Sequence, residues 1–204
     1  MKRRNARAMN CKRYVSEVKK SISEKKNIKG CKEIANQILK ELKITEVPIP
    51  IIKILKSLDF NIYVDDLQDK NISGFLMISP DLQEKFETDR IAVIEETDTY
   101  GRQRFTLAHE FAHYIFDFDE NSSSNFFLST YDLERSNALE EILASRFAAE
   151  LLMPEKMFKK DFKNLEKKTM YEKIKILTEQ YQVSSKAVSK RIEELELLPD
   201  RLRQ

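Results

Sequence analysis

The sequence is poor in the residues that make tight turns and cross-links. Its 204 residues include only 3 glycines, 5 prolines and 2 cysteines, and no tryptophan. Because an all-β fold needs frequent turns, this scarcity argues against one and favours helices with a few strands. The cysteines, Cys11 and Cys31, are too few for a disulfide framework, so we expect free thiols.

Long apolar runs are also missing. The longest runs, such as residues 47–54, are short and are broken by prolines or charges, whereas a membrane-spanning helix needs about 20 apolar residues. The basic N-terminus, MKRRNARAMNCKRY, is not followed by the apolar stretch that a secretory signal contains. We therefore expect no transmembrane segment and a cytoplasmic location.

Charge is distributed unevenly along the chain. Residues 1–32 contain 12 basic and 2 acidic side chains, whereas residues 33–154 contain 11 basic and 23 acidic ones. We interpret residues 1–46 as a basic helical N-terminal extension. Such an extension can contact nucleic acid or an acidic partner. No base-reading pattern accompanies the charge, so packing on the chain's own acidic body is the favoured interpretation.

Hydrophobic periodicity predicts an α+β fold. Three short segments have the pattern of strands: Phe60–Val64, Ser73–Ser79 and Arg90–Glu95. Two strong helical patterns follow, at about residues 104–116 and 137–153, separated by a serine- and acid-rich segment that reads as a loop. We expect a small, mostly antiparallel sheet packed on these two helices, in a core of residues 47–154 that precedes shorter helices in residues 155–204.

Both histidines of the chain lie in the first of these helices, TLAHEFAHYIF. His109 and His113 are one turn apart on the same face, and Glu110 stands beside the first. This HExxH spacing lets two imidazoles bind one zinc ion. It also places a carboxylate where it can accept a proton from the attacking water and pass it to the leaving amine. We therefore predict that His109 and His113 are metal ligands and that Glu110 is the catalytic base.

So short a motif also arises by coincidence. Its surroundings favour the metal interpretation, because Ala108 and Ala112 make the helix apolar around the motif. Buried there, the histidines and the glutamate would lack partners unless a metal satisfied them. A chance match would also have to place both histidines of the chain at the spacing that metal binding requires.

A catalytic zinc needs a third protein ligand, which the second helix can supply. Taking Arg146 and Glu150 as markers of its solvent side, Glu141 points the opposite way, above Ala144 and Ala148. This phase favours Glu141 over Glu140 as the third ligand. Two imidazoles and a carboxylate suit Zn²⁺ best, although they also suit Mn²⁺, Fe²⁺ or Co²⁺. Two acidic residues after the histidine helix can orient a histidine from outside the ligand group: Asp117 and Asp119.

The chain resembles the ImmA/IrrE family of zinc metallopeptidases over about residues 47–198. The resemblance lies in RQRFTLAHEFAHYIF and EEILASRFAAELLMP, and more loosely in SGFLMI and YQVSSKAVSKRIEELELL. It implies a gluzincin-like core, and it places the family's downstream glutamate at Glu141. It also implies that the protein cleaves a helix-turn-helix transcriptional repressor and so induces a mobile element or stress genes. The long basic extension departs from the family's usual start.

Peptide hydrolysis also requires a group that stabilises the oxyanion of the transition state. With no further histidine, the candidates are identified by elimination: Tyr100, Arg104, Tyr114 and Tyr131. The substrate can add a strand to an exposed sheet edge. We predict that this edge is the β-branched run Ile91, Ala92, Val93 and Ile94.

The C-terminal segment resembles a helix-turn-helix, with Ser184 as the N-cap of its second helix. Polar and basic side chains make DNA contact possible on that helix: Ser185, Lys186, Ser189, Lys190 and Arg191. Packing on the peptidase core is favoured, because glutamates crowd the far end of the helix and would repel phosphates. The sequence thus predicts a zinc endopeptidase acting on a protein, with a non-proteolytic antirepressor or DNA-binding regulator as the alternative.

Overall fold

Helices alternate along the chain with the strands of one small sheet. A computed structural model describes residues 13–18, 26–69, 71–119, 121–130 and 138–198. The helices are α1 (Ile28–Glu41), α2 (Ile51–Lys56), α3 (Leu82–Phe86), α4 (Tyr100–Phe116), α5 (Ala138–Leu152), α6 (Glu155–Asn164), α7 (Met170–Tyr181) and α8 (Ser185–Glu194). The strands are β1 (Asn61–Asp65), β2 (Ile72–Ile78), β3 (Arg90–Glu95) and β4 (Asn125–Thr130). Residues 13–18 are also helical. Over the described residues, no helix is long and apolar enough to cross a bilayer.

The sheet has the strand order β1-β3-β2-β4. It is mostly antiparallel, as predicted, since β2 pairs antiparallel with β3 and β4 while only β1 and β3 are parallel. β3 is an interior strand, in which Val93 lies opposite Tyr63 of β1 and Phe75 of β2. The prediction that Ile91 to Ile94 form an exposed edge for substrate is therefore wrong, because β1 and β2 already occupy both edges.

β4 lies in the segment that the sequence pattern predicts to be a loop. The apolar residues of this segment, Phe126 to Leu128, are adjacent rather than alternating, and they follow a run of serines. In the structure, Phe127 packs on the core, whereas Phe126 is 55% exposed. The strand forms by pairing with β2, about fifty residues earlier in the chain, so no local pattern reveals it.

The helices α4 and α5 pack directly on each other. Ala108 and Ala112 of α4 are buried, as are Ala144 and Ala148 of α5. Small side chains at these positions allow the close approach that the sequence predicts. On its other side α4 contacts β2, β3 and β4, so it is enclosed between the sheet and α5. This explains why nearly all its residues from Thr106 onward are buried.

α1 packs on α5 within the same hydrophobic cluster. Its buried residues include Ile34 and Ile38, and Cys31 is fully enclosed as a free thiol whose pKa burial raises to about 12. Residues 28–41 belong to the predicted N-terminal extension, residues 1–46. The predicted boundary at residue 46 therefore does not coincide with a break in packing.

The last two helices, α7 and α8, begin with side-chain caps. Thr169 and Glu172 form a capping box at the start of α7. Ser184 accepts a hydrogen bond from the backbone N–H of Ala187, which confirms its prediction as the N-cap of α8. The turn before α8 lies against the first turn of α4, where a side chain at Gly101 would place its Cβ 2.6 Å from the carbonyl carbon of Val183. Only glycine permits this approach.

A buried ion pair attaches α8 to α5. Glu150, 3% exposed, pairs with Arg191, 5% exposed, and also accepts a hydrogen bond from Asn36 of α1 at 2.8 Å. The interpretation of Glu150 as a solvent-facing residue is therefore wrong. A charge at helical spacing marks the solvent side only where no other element covers it, and here α1 and α8 both do. Arg146, the other marker, pairs with Glu194 at 2.8 Å.

Candidate metal centre

The two histidines of α4 direct the same nitrogen toward one point. The Nε2 atoms of His109 and His113 lie 3.2 Å apart in the buried stretch of the helix. Residues four apart in a helix share a face, which brings the rings together at a centroid distance of 4.9 Å. Side by side in this way, the two imidazoles can bind one ion.

Glu141 of α5 completes the group. Its Oε2 lies 3.0 Å from Nε2 of His109, and its Oε1 lies 3.4 Å from Nε2 of His113. Ligand atoms of these three side chains all lie within 4.8 Å of one another. Glu140 points elsewhere and forms an ion pair with Lys26 at 2.8 Å. The structure thus brings together the three ligands that the sequence predicts.

Both histidines have a polar neighbour at the other ring nitrogen. Nδ1 of His113 donates to Asp117 at 2.7 Å, since a carboxylate can only accept, and Nδ1 of His109 lies 3.4 Å from the hydroxyl of Ser145. Lys26 in turn forms an ion pair with Asp117 at 2.8 Å. Such partners fix the tautomer and orientation of a metal-binding imidazole. Asp117 therefore has the orienting position that the sequence suggests for it.

Asp119, the other residue suggested for orienting a histidine, forms hydrogen bonds within the loop that follows α4. It accepts a hydrogen bond from the backbone N–H of Asn121 at 2.9 Å, and its own N–H donates to Asn125 at 2.8 Å. These contacts shape the loop between α4 and β4. The ring of Phe127 on β4 stacks on His113 at 6.0 Å, so this loop and strand also form one side of the histidine pair.

The charges around the group favour a bound cation. Although burial opposes a charged imidazole, hydrogen bonds to Asp117 and Glu141 and the charge of Glu110 raise the pKa of His113 to about 10. Burial likewise opposes ionisation of Glu141, yet hydrogen bonds to both histidines lower its pKa to about 2. Three carboxylates thus hold a proton on His113, and a metal ion can take the place of that proton.

The spacing of the donor atoms fits zinc. Two bonds of about 2.0–2.1 Å meeting at a tetrahedral angle place their nitrogens roughly 3.3 Å apart, and the two Nε2 atoms are 3.2 Å apart. The two oxygens of Glu141 lie beside this pair, Oε2 at 3.0 Å from Nε2 of His109 and Oε1 at 3.4 Å from Nε2 of His113, so the carboxylate can supply a third ligand. The donor set and its geometry therefore suit a tetrahedral divalent metal ion.

The profile of the Peptidase_M78 family, described as the IrrE N-terminal-like domain, matches residues 55–193. The chain belongs to this family. The match includes the histidines, Glu141 and the helices up to α8, and it confirms the resemblance found in the sequence.

A solved structure named Mycobacterium tuberculosis transcriptional regulator is similar to this Peptidase_M78 protein. The two have 16% sequence identity and a TM-score of 0.55, over 87% of this chain and 51% of that chain. The likeness therefore supports the fold, and the chain spans about half the length of that regulator. A comparison with curated proteins finds no match.

In this Peptidase_M78 domain, Glu110 is 1% exposed and follows His109 on α4. Its charge contributes to the raised pKa of His113, which places its carboxylate in the electrostatic surroundings of the metal group. The position agrees with that of a general base, and this role stays a prediction.

Of the candidates for stabilising the transition state, the three that the structure describes, Tyr100, Arg104 and Tyr114, do not line the cleft of the metal group. Tyr114 packs on Phe60 at a ring distance of 5.1 Å, and its hydroxyl accepts a hydrogen bond from Arg90. Arg104, 3% exposed, donates to two backbone carbonyls, those of Ile49 and Gln182. Both side chains therefore support the core, which overturns their candidacy. Tyr100 is 54% exposed above the Arg104 guanidinium, and Tyr131 lies outside the described residues.

The metal group opens into a cleft of about 590 Å³. His109 and Glu141 line it together with residues of α8. Phe105 and Ile142 give the cleft an apolar surface, while Lys186 and Lys190 of α8 give it charge. These two lysines, proposed from the sequence for DNA contact, thus line the same cleft as the metal group, and Arg191 is held in its buried ion pair.

Sequence patterns miss three residues of the site: Lys26, Ser145 and Phe127. Lys26 lies far from the motif in the chain, and nothing local distinguishes it from other lysines of the basic extension. Ser145 does carry a signal, because it follows Glu141 by one helical turn and so shares its face. Phe127 could be found only by recognising β4.

Replacing Asp117 with alanine is expected to weaken zinc binding about 10- to 100-fold, the usual cost of losing an orienting partner of a histidine ligand. The measurement is competition with a chromophoric zinc chelator at fixed pH. Asp119→Ala is the matched control, since that carboxylate serves the loop. Equal zinc affinity in Asp117→Ala and the control would exclude the orienting role.

Proposed function

We propose that this protein is a zinc-dependent endopeptidase that cleaves a protein substrate. The supporting observation is a group of two histidines and one glutamate, with the buried Glu110 beside it. Within the described residues the group contains three ligands, His109, His113 and Glu141. A structural zinc usually has four protein ligands, whereas a catalytic zinc has three and an open position. The donor set therefore supports catalysis.

The chemistry divides between the metal and one side chain. Bound zinc would supply a Lewis acid that lowers the pKa of water and polarises the scissile carbonyl. Glu110 takes up the proton of the attacking water as its oxygen adds to the carbonyl carbon. It then delivers this proton to the amide nitrogen as the C–N bond breaks, which yields a carboxylic acid and an amine. His109, His113 and Glu141 hold the metal, and Asp117 holds His113.

Since β3 is interior, we place the substrate on β4 instead. β4 is the last strand in the order β1-β3-β2-β4, and Phe127 brings it against His113. An extended substrate pairing with the outer edge of β4 would run beside the metal group. N-methylation of the substrate backbone near the cleaved bond should slow cleavage. Methylated peptides that were cut at the unmodified rate would exclude strand addition.

A helix-turn-helix transcriptional repressor is the substrate class we propose, with induction of a mobile element or stress genes as the result. The support is the resemblance to the ImmA/IrrE family together with membership of the Peptidase_M78 family. The test incubates the zinc-loaded protein with a repressor encoded beside it and identifies fragments by mass spectrometry. We expect one or a few cuts that a chelator abolishes and zinc restores. An intact repressor would contradict the proposal.

A non-proteolytic regulator is the second candidate. It is supported by the name of the similar structure, a transcriptional regulator, and by the helical pair α7 and α8. In this case the protein would release the repressor from DNA, or bind DNA itself, without cutting anything. Loss of repressor from its operator while the repressor stays intact would favour this candidate.

Metal analysis of the purified protein would distinguish zinc from Mn²⁺, Fe²⁺ or Co²⁺.

A further inference from the structure

Helix α8 brings two lysines to the cleft of the metal group. Among the other basic residues that line the cleft, Arg102 pairs with Asp98 at 3.1 Å and Arg146 with Glu194 at 2.8 Å, while Arg191 is buried in its own pair. Lys186 and Lys190 are exposed, lie one turn apart on α8, and form no ion pair with any described residue.

Contacts with other elements hold both ends of α8, the helix that carries these lysines. Arg104 of α4 donates to the carbonyl of Gln182 at 2.9 Å, and Gly101 lets the turn before α8 lie against the first turn of α4. At the other end of α8, Arg191 donates to the carbonyl of Met153 at 3.1 Å and pairs with Glu150. Contacts at both ends of the helix therefore hold the part of α8 that carries these lysines at the cleft of the metal group.

Much of the remaining surface of the cleft is apolar. Phe105 and Ile142 line it together with Ala149, Met153 and Ala187, and Ile142 is 49% exposed. Leu139, 58% exposed, precedes Ile142 by about one turn of α5. An occupant that matches this surface combines apolar side chains with negative charge, which describes an acidic segment of a protein.

We propose that Lys186 and Lys190 select a protein substrate whose segment next to the cleaved bond is acidic. The proposal rests on the proposed endopeptidase function and names its substrate class. In it, α8 is part of the substrate-binding surface of the peptidase rather than a DNA-reading helix. A nucleic acid fits the cleft less well, because its phosphates would find no partner on the apolar surface that Phe105, Ile142 and Met153 contribute.

The test measures binding separately from cleavage. The full-length Glu110→Gln protein with zinc is titrated against a fluorescent peptide of alternating glutamate and leucine, and against the same peptide with glutamine for glutamate. We expect roughly 3- to 10-fold tighter binding of the glutamate peptide at low salt, since two exposed ion pairs contribute modestly. High salt should remove the difference.

Three double variants test whether the preference depends on Lys186 and Lys190. Lys186→Gln with Lys190→Gln should abolish the preference, whereas Lys160→Gln with Lys163→Gln on α6 changes the net charge equally and should preserve it. Lys186→Glu with Lys190→Glu should reverse the preference, so that a peptide of lysine and leucine binds better. Since all four lysines are exposed, thermal unfolding should be unchanged in each variant.

The outcomes separate this proposal from the proposed function. Cleavage of a repressor at equal rates by the wild type and by the Lys186→Gln/Lys190→Gln variant, with no peptide preference, would overturn the lysine proposal and leave the peptidase standing. A lysine-dependent preference in a protein that cuts nothing would support acidic recognition and refute the peptidase. A DNA duplex that binds through the two lysines when the acidic peptide does not would also overturn the proposal.

Discussion

Replacing Glu110 with glutamine is expected to lower kcat/KM for substrate cleavage by about 10²- to 10⁴-fold, the usual contribution of a general acid–base group. Glutamine has nearly the same size and fits the same buried position, where Glu110 is 1% exposed. Its amide cannot accept the proton of the attacking water. Initial rates of fragment formation with saturating zinc measure the effect.

The same variant should retain the metal. Glu110 is not among the three side chains that form the ligand group, so we expect its zinc content and thermal unfolding to equal those of the wild type. The matched control is Glu179→Gln, the same chemical change at an exposed residue of α7. We expect this control to cleave within a few-fold of the wild type.

Two results would remove the enzyme interpretation. One is full biological activity of Glu110→Gln, which would mean that no proton transfer by this carboxylate is needed. The other is loss of zinc from Glu110→Gln with the control unaffected, which would make Glu110 a structural part of the site. His113→Ala cannot replace this experiment, because losing a ligand should remove the metal from an enzyme and from a non-enzymatic zinc protein alike.

Substituting Arg191 with methionine is expected to lower the free energy of unfolding by about 3–5 kcal/mol, the range found when one partner of a buried ion pair is removed. Glu150 would keep its charge in a position that is 3% exposed. The hydrogen bond from Arg191 to the carbonyl of Met153 would also disappear. Urea denaturation monitored by circular dichroism measures the change.

A double variant separates the cost of leaving the buried charge of Glu150 unpaired from the cost of lost packing. Adding Glu150→Gln to Arg191→Met neutralises that charge, while the amide oxygen can still accept the hydrogen bonds from Asn36 and from the N–H of Glu155. We expect the double variant to recover much of the stability, since exchanging a buried pair for neutral groups often costs little. Equal destabilisation of the single and double variants would show that packing, not charge, sets the cost.

An exposed pair provides the comparison. Lys29 and Glu33 lie 3.9 Å apart with side chains 86% and 57% exposed. Lys29→Met should leave the free energy of unfolding nearly unchanged, because solvent and salt screen such pairs. A cost for Lys29→Met as large as that for Arg191→Met would mean that the loss of a charge, not its burial, is being measured.

The sequence by itself determined the local chemistry of the site. His109 and His113 share a helical face because of their spacing, and the phase of the next helix turns Glu141 toward them; both are properties of a single helix. The N-cap at Ser184 and the alanines between α4 and α5 follow from equally local patterns. The strand segments before α4 were also found, since each carries its own run of β-forming residues.

Only the tertiary structure decided what each element meets. The sequence pattern of β3 is compatible with an edge strand and with an interior strand, and its pairing with both β1 and β2 makes it interior. Glu150 is buried because α1 and α8 cover it. Lys26 forms an ion pair with Asp117 although the two residues are far apart in the sequence. Lys186 and Lys190 face the metal cleft because α8 is docked there. Periodicity describes one element at a time, whereas burial, pairing and charge environment depend on contacts distant in sequence.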